Sequence, residues 1–314
     1  MMRTLLRHEG ILAILLVVTL AVLAGQSDKF FTTANLLNQG RLMAEVGIVA
    51  LAMTFVIVTG GIDLSVGSTL GMVAILLGVM WQKLGIPLPA AMILALVIGA
   101  VAGWANGFVI TRFGVPPLIA TLATLALYRG LAEGISQARS VRGYPEWFYW
   151  LGQGDIWGVP VQLWIFVILA GITAFVLGLT PFGRATYAIG SNAVAAEFSG
   201  LPVRRTLLLI YTMSGLFSAI AAVIFVSRVS TTRSDMGTGL ELDVITAVVL
   251  GGTSIFGGRG TIVGTLLGLV VVQALKNGLL LAGVKGDATI VVIGLILIGT
   301  IILSNLFGRN TDGT

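Results

Sequence analysis

Long stretches without a charged residue recur along almost the whole chain, and they restrict its fold more than any other feature. Examples cover residues 46–62, 64–82, 84–111 and 206–227. About 20 apolar residues in a helix cross the hydrocarbon core of a bilayer. We therefore predict an all-α polytopic membrane protein with about ten transmembrane helices, the pattern allowing roughly eight to eleven. Because such a bundle is continuous, residues 1–314 are expected to form a single domain.

Composition supports this prediction and removes several functional classes. The chain is 57% hydrophobic and 10% charged, whereas soluble domains carry about 25% charged residues. It has no cysteine and a single histidine, His8, so thiol chemistry is excluded and an enzymatic site is not expected. The net charge of +5 is scattered over loops, which argues against nucleic acid as a partner.

The first 45 residues combine a basic segment, an apolar run and an amphipathic stretch. Residues 1–9 and 10–25 resemble a signal peptide, but further apolar runs follow, so we predict an uncleaved first span. Residues 28–44 mix Phe and Leu with polar side chains, which predicts a segment lying along the membrane surface. The chain is expected to enter the membrane at Glu45.

Two glycine-rich segments interrupt the apolar pattern, one in each half of the chain. In TGGIDLSVGS (59–68), Asp63 either meets a ligand at a break between spans or, as we favour, caps the next helix in a tight turn at the membrane surface. GGTSIFGGRG (251–260) lacks the context of a nucleotide-binding loop, so close helix packing explains it better. Their similarity suggests an internal duplication.

Two polar connections stand out between the apolar runs. In residues 180–205, Ser191 or Asn192 can cap a short helix from Ala193 to Ser199, and Gly200 can end it. Such a helix suits docking of a soluble partner, although a solvated loop explains the polarity equally well. Residues 135–160 hold the aromatic residues Trp147, Phe148, Tyr149, Trp150 and Trp157 among charged ones. An interfacial aromatic belt is favoured over a carbohydrate-facing surface.

Several motifs resemble one family of transport proteins over nearly the whole chain. They are TGGIDLSVGS, FGRATYAIGSNAVAAEFSGLPV, GTGLELDVITAVVLGGTSIFGGRGTIVGTLLG and residues 120–134. These are similar to the ribose-type permeases of bacterial ATP-binding-cassette sugar importers, in the branched-chain amino acid/ribose permease superfamily. Residues 135–153 resemble rhamnose permeases most, and RSDMGTG resembles autoinducer-2 permeases.

The resemblance implies a type II-importer-like bundle with glycine-broken helices and a defined set of partners. The permease would pair with a second copy or a close homologue, sit on cytoplasmic ABC ATPases and receive a small-molecule sugar from a periplasmic sugar-binding protein. It would bind no cofactor itself, since ATP and Mg would be held by the ATPase, and it would not be an enzyme. It would be a multi-pass protein of the bacterial inner membrane and its lipid bilayer, with both termini cytoplasmic.

The same resemblance assigns roles to particular residues. Residues 181–205 would form a cytoplasmic coupling loop, and residues 135–160 a periplasmic loop. The helix that contacts the ATPase would comprise Asn192, Ala193, Ala195, Ala196, Glu197, Phe198, Ser199 and Gly200. Polar groups that could line a substrate path are Asp63, Ser65, Asn106 and Thr253, each of which could instead join helices.

The alternative function is an ion-coupled secondary transporter of a small polar solute. Such a transporter normally carries acids or histidines within its spans. Asp63 is the one serious candidate that the sequence offers, which argues against this alternative.

Overall fold

The computed structural model describes residues 29–137 and 139–284 continuously, and a few isolated positions outside them. The helices within these two ranges are α1 (Thr33–Val58), α2 (Val66–Gln82), α3 (Leu88–Phe113), α4 (Pro117–Ser136), α5 (Glu146–Gln153), α6 (Val161–Leu179), α7 (Pro181–Ser191), α8 (Ala193–Phe198), α9 (Val203–Val229), α10 (Leu240–Leu250) and α11 (Ile262–Leu281). Four two-residue strands form two antiparallel pairs: β1 (Val141–Arg142) with β4 (Thr231–Thr232), and β2 (Asp155–Ile156) with β3 (Val159–Pro160).

Helix α1 forms the centre of the bundle. It packs against α6, α9, α10 and α11, and all of residues 47–58 are buried. A helix satisfies its own backbone hydrogen bonds, and residues 46–58 carry no charged side chain. This part of α1 can therefore be buried on all sides without leaving charged or backbone polar groups unpaired. Helices α4 and α6 lie at the periphery and expose most of their apolar side chains.

The extensive contact between α3 and α9 depends on small residues. A side-chain carbon added at Gly103 would lie 2.1 Å from the carbonyl oxygen of Tyr211, and one at Gly215 would lie 2.1 Å from that of Gly99. Lipid offers no hydrophobic drive for helix association, so close van der Waals contact of this kind stabilises the pair.

The prediction of an all-α polytopic membrane protein is confirmed. Among the described residues, α1, α3, α4, α6, α9 and α11 are each long and apolar enough to cross a membrane, and α2 is a shorter apolar helix. Helix α10, with 11 residues, is about half the length of a span. The predicted first span, residues 10–25, and the apolar run at residues 288–307 lie outside the described ranges apart from isolated positions.

One prediction about the N-terminal part is wrong. The predicted surface segment, residues 28–44, is not separate from the first spanning helix in its described part, residues 29–44, because α1 runs without interruption from Thr33 through Glu45 to Val58. Glu45 is buried and forms an ion pair with Arg228. A neutralised, doubly hydrogen-bonded carboxylate can lie inside a helical bundle, whereas the sequence suggested that this charge marks the membrane surface.

Candidate functional site: a charged cavity and an exposed short helix

A cavity of about 530 Å³ opens between α1, α9, α10, α11 and the segment 231–238. This volume falls within the roughly 300–1,000 Å³ typical of small-molecule sites. Within the described part of the chain, three acidic and three basic side chains line it, so their formal charges cancel. These side chains are Glu45, Asp235, Asp243, Arg228, Arg233 and Lys276.

The Glu45–Arg228 pair ties α1 to the end of α9. Arg228 donates from Nε to Glu45 Oε1 at 2.6 Å and from its terminal nitrogen to Oε2 at 3.0 Å. This two-bond geometry uses both carboxylate oxygens. The Glu45 side chain is only 5% exposed, so the pair mainly fixes two helices at the cavity wall.

The Asp243–Lys276 pair is more open to the cavity. Lys276 Nζ donates to Asp243 Oδ2 at 2.5 Å, and the two side chains are 28% and 19% exposed, respectively. Asp243 lies in the first turn of α10, where the helix dipole favours a negative charge. One turn before Lys276, Gln273 donates to Gln39 of α1 at 2.7 Å. The pair therefore lies among neutral polar groups.

Further polar contacts outside the cavity connect α5 and the segment that follows it to α9 and α1. Gln153, at the end of α5, donates to the Arg228 carbonyl and to Ser230. Arg41 of α1 donates to Asp155 at 3.0 Å. Next to the opening, the Arg233 guanidinium lowers the pKa of Asp235 through a hydrogen bond, so this pair remains charged at neutral pH.

Three of the four predicted path residues lie in a buried network instead of along the cavity. Asp63 Oδ1 accepts hydrogen bonds from the backbone and side chain of Ser65, and Asp63 Oδ2 accepts one from Ser214 of α9 at 2.7 Å. Asn106 of α3 donates to Ser65 Oγ at 2.8 Å. The network joins α3 and α9 to the turn before α2, in agreement with the alternative in which these polar groups join helices. Ser65 is the N-cap residue of α2, without a side-chain cap hydrogen bond, so the capping role favoured for Asp63 is limited to the bond that it accepts from the Ser65 amide. The turn is buried within the bundle.

Thr253, the fourth predicted residue, lies apart from the others in the second glycine-rich segment. It is buried and its hydroxyl has no hydrogen-bond partner among the described residues. Close packing explains this segment, as the sequence indicated: a carbon added at Gly251 would lie 2.4 Å from the carbonyl oxygen of Gly264 in α11.

Sequence reasoning missed the charged pairs of the cavity. It placed Glu45 at the membrane boundary and named neither Asp243 nor Lys276 as a site residue. The pairing of Glu45 with Arg228 joins residues 183 positions apart, and no local pattern encodes it. The available signal was that the two acids and two bases of these pairs interrupt or border otherwise apolar segments, where ionisable residues are usually paired. Asp63 is therefore not the one serious acid within the bundle, because Glu45 and Asp243 also lie there.

At the opposite end of α9, the short helix α8 begins at the predicted residue, Ala193, and ends at Phe198, one residue before the predicted end, with Ser199 as its C-cap. Asn192 Oδ1 accepts from the Ala195 amide at 2.9 Å, and Gly200 follows in the left-handed region with φ of +82°. Ala196 is buried against the bundle, whereas Val194 is 65% and Phe198 90% exposed. The helix thus presents an apolar residue outward on a polar loop.

Helix α8 continues directly from a junction between both glycine-rich segments. We call Val58, Gly190 and Gly258 the glycine junction. The Gly258 amide donates to the Val58 carbonyl at 2.8 Å, and a carbon added at Gly190 would lie 1.8 Å from that same oxygen. Nearby, the Tyr187 hydroxyl donates to the Gly260 carbonyl at 2.7 Å; burial raises the pKa of Tyr187, so its hydroxyl remains a donor. The end of α7 is therefore in backbone contact with the turns after α1 and α10.

These features together define a class of protein. A helical membrane bundle that has a charge-balanced cavity toward one end and a short exposed helix at the other is arranged as a transport protein.

Comparison with known proteins identifies the family. Residues 35–301 match the family described as branched-chain amino acid transport system / permease component. The chain is 39% identical over 300 residues to the autoinducer 2 import system permease protein LsrD of Escherichia coli (strain K12), covering 94% of this chain and 91% of the relative. It is 39% identical over 296 residues to LsrD of Photorhabdus luminescens, covering 92% and 89%. No solved structure matches the chain significantly.

The chain therefore belongs to this permease family, and the resemblance found in its motifs is confirmed. It is a multi-pass membrane protein that serves as the permease component of a transport system, and it is not an enzyme.

Proposed function

We propose that this chain is the permease subunit of an ATP-binding-cassette importer that carries autoinducer 2 or a related small sugar-like solute across the inner membrane. The observation that carries the proposal is the 39% identity to autoinducer 2 import permeases, which extends over 94% of the chain. In this proposal two permease subunits, identical or homologous, work with two cytoplasmic ATPases and a periplasmic binding protein. The ATPase holds ATP and Mg.

The proposal assigns the two ends of the bundle to the two sides of the membrane. Helix α6 is one span, so residues 135–160 and 181–205 lie at its opposite ends. We place the first segment, with the mouth of the cavity, in the periplasm and the second in the cytoplasm. The cavity then receives solute from the binding protein, and α8 faces the ATPase.

Helix α8 is proposed to couple the ATPase to the bundle. Phe198, almost fully exposed, would fill a groove on the ATPase, since a buried aromatic anchor often dominates such an interface. Movement of α8 would pass through α7 to the glycine junction. From there it would reach α1 and α10, which form walls of the cavity and would switch it between outward and inward openings.

Co-purification and solute-stimulated ATP hydrolysis test this function. The permease is purified with its ATPase and reconstituted in liposomes with the binding protein, and autoinducer 2, ribose and rhamnose are compared. Stimulation by one of them is expected. The absence of an ATPase complex, or a complex that none of the three solutes stimulates, would refute the proposal.

The variant Phe198→Ala tests the coupling role of α8. Truncating an anchor residue costs at least about 2 kcal/mol, or roughly 30-fold in affinity. We expect the ATPase to dissociate from this variant. The matched control is Phe175→Ala, which truncates an exposed phenylalanine of the spanning helix α6 and should leave the complex intact. Equal ATPase retention by both variants would contradict a docking role for Phe198.

A further inference from the structure

We propose that Asp243 and Lys276 form the solute-binding pair of the transport cavity and recognise neighbouring hydroxyl groups of an uncharged, polyhydroxylated solute. This inference rests on the proposed function and adds the residues that contact the solute and the chemistry they recognise.

The Asp243–Lys276 pair has hydrogen-bonding capacity that its own contact does not use. Lys276 donates to Asp243 Oδ2, and among the described residues no hydrogen bond reaches Asp243 Oδ1. A lysine ammonium has three donors, and this contact uses one. One carboxylate oxygen and two ammonium hydrogens therefore remain available to a molecule in the cavity. A diol matches them, because its hydroxyl groups can both donate to a carboxylate and accept from an ammonium.

The other two ion pairs of the cavity are less suited to bind a solute. Glu45 already uses both carboxylate oxygens on Arg228 and is 5% exposed, so it has little left for a solute. Arg233 and Asp235 are more than half exposed at the mouth, where water competes for their hydrogen bonds. Asp243 and Lys276 are intermediate in exposure, as expected for groups that face a solute inside the bundle.

The charges of the acidic and basic side chains that line the cavity balance. Each acid that lines the cavity in the described part of the chain is paired with a base, so the cavity offers no excess charge to attract an ion. Gln39, Gln273 and Asn277 add neutral polar groups to the same wall. Such a surface suits an uncharged polyol and disfavours its phosphate ester, which would need an unpaired cation.

The test uses the whole importer, reconstituted with its ATPase and the binding protein loaded with autoinducer 2, ribose or rhamnose. The variant Asp243→Asn keeps the shape of the side chain but removes its charge. Because a hydrogen bond to a charged group contributes about 1.5 kcal/mol or more, the maximal solute-stimulated rate should fall about tenfold. The concentration of binding protein that gives half the rate should not change, since docking takes place outside the cavity.

The matched control is Asp155→Asn, which breaks the Arg41–Asp155 ion pair near the mouth by the same chemical change. Neither residue lines the cavity, so this variant should retain at least half of the wild-type rate. Equal rates for the Asp243→Asn and Asp155→Asn complexes would overturn the inference.

The double variant Asp243→Asn/Lys276→Gln separates solute binding from structure, including the case in which Asp243→Asn alone fails to assemble. It leaves no unpaired charge, so it should assemble with the ATPase, yet its solute-stimulated rate should remain about tenfold lower than that of the wild type. Wild-type transport by this variant would show that the pair is structural, and the inference would fail while the proposed function stood. A wild-type complex that no solute stimulates would reject both.

Discussion

The crossing of α3 and α9 provides a quantitative test of the fold through the variant Gly103→Ala. The added carbon would lie 2.1 Å from the Tyr211 carbonyl oxygen and 2.8 Å from the Gly215 nitrogen. Carbon–oxygen contacts between backbones are ordinarily about 3.3–3.6 Å, so the helices must separate by roughly 1 Å. No side-chain rotation can relieve the clash, because the contacted atoms belong to the backbone.

The expected cost follows from this geometry. Overpacking costs about 1–3 kcal/mol, and a backbone clash belongs at the upper end. The gain in helix propensity from Gly to Ala offsets up to about 1 kcal/mol. We expect Gly103→Ala to be destabilised by about 2 kcal/mol.

Denaturation in mixed detergent micelles, followed by tryptophan fluorescence, measures the effect. The control is Gly171→Ala in α6, where an added carbon meets no atom within 4 Å; it should lie within about 1 kcal/mol of wild type, toward greater stability. If Gly103→Ala were as stable as Gly171→Ala, the close α3–α9 contact would be wrong.

Two further variants probe the cavity wall and the glycine junction. Arg228→Met leaves the buried Glu45 carboxylate unpaired and should cost about 3 kcal/mol in the same denaturation assay; Glu45→Gln/Arg228→Met should recover most of this loss, and equal stability of the single and double variants would argue against the pair. Gly190→Ala pushes α7 from Val58, whose carbonyl oxygen would be 1.8 Å away, and should reduce solute carried per ATP hydrolysed at least about tenfold. Gly178→Ala, which meets no atom within 4 Å, is its control; equal transport per ATP for these two would contradict a coupling role for the junction.

Local signals in the sequence predicted a large part of this structure. Hydrophobic runs gave the spanning helices because burial in lipid demands a continuous apolar segment. The cap at Asn192 and the left-handed turn at Gly200 were predictable because they depend on neighbours a few residues away. The close packing at Gly251 was predictable because glycines allow helices to approach closely within a membrane.

The cavity was not predictable because it arises from packing between distant helices. Asp243 and Lys276 belong to different helices, and their contact depends on how α10 and α11 are aligned. The sequence showed that Asp63 lies in a break, but its bond to Ser214 depends on the position of α9. Glu45 was misplaced for the same reason: without knowledge of Arg228, a charge in an apolar run resembles a membrane boundary.

Uptake of labelled solute by proteoliposomes containing the permease, its ATPase and the binding protein tests the central claim most directly. The account predicts uptake that requires hydrolysable ATP and the binding protein and does not respond to a proton or sodium gradient. Uptake by the permease alone, driven by an ion gradient without ATP, would contradict it and favour a secondary transporter.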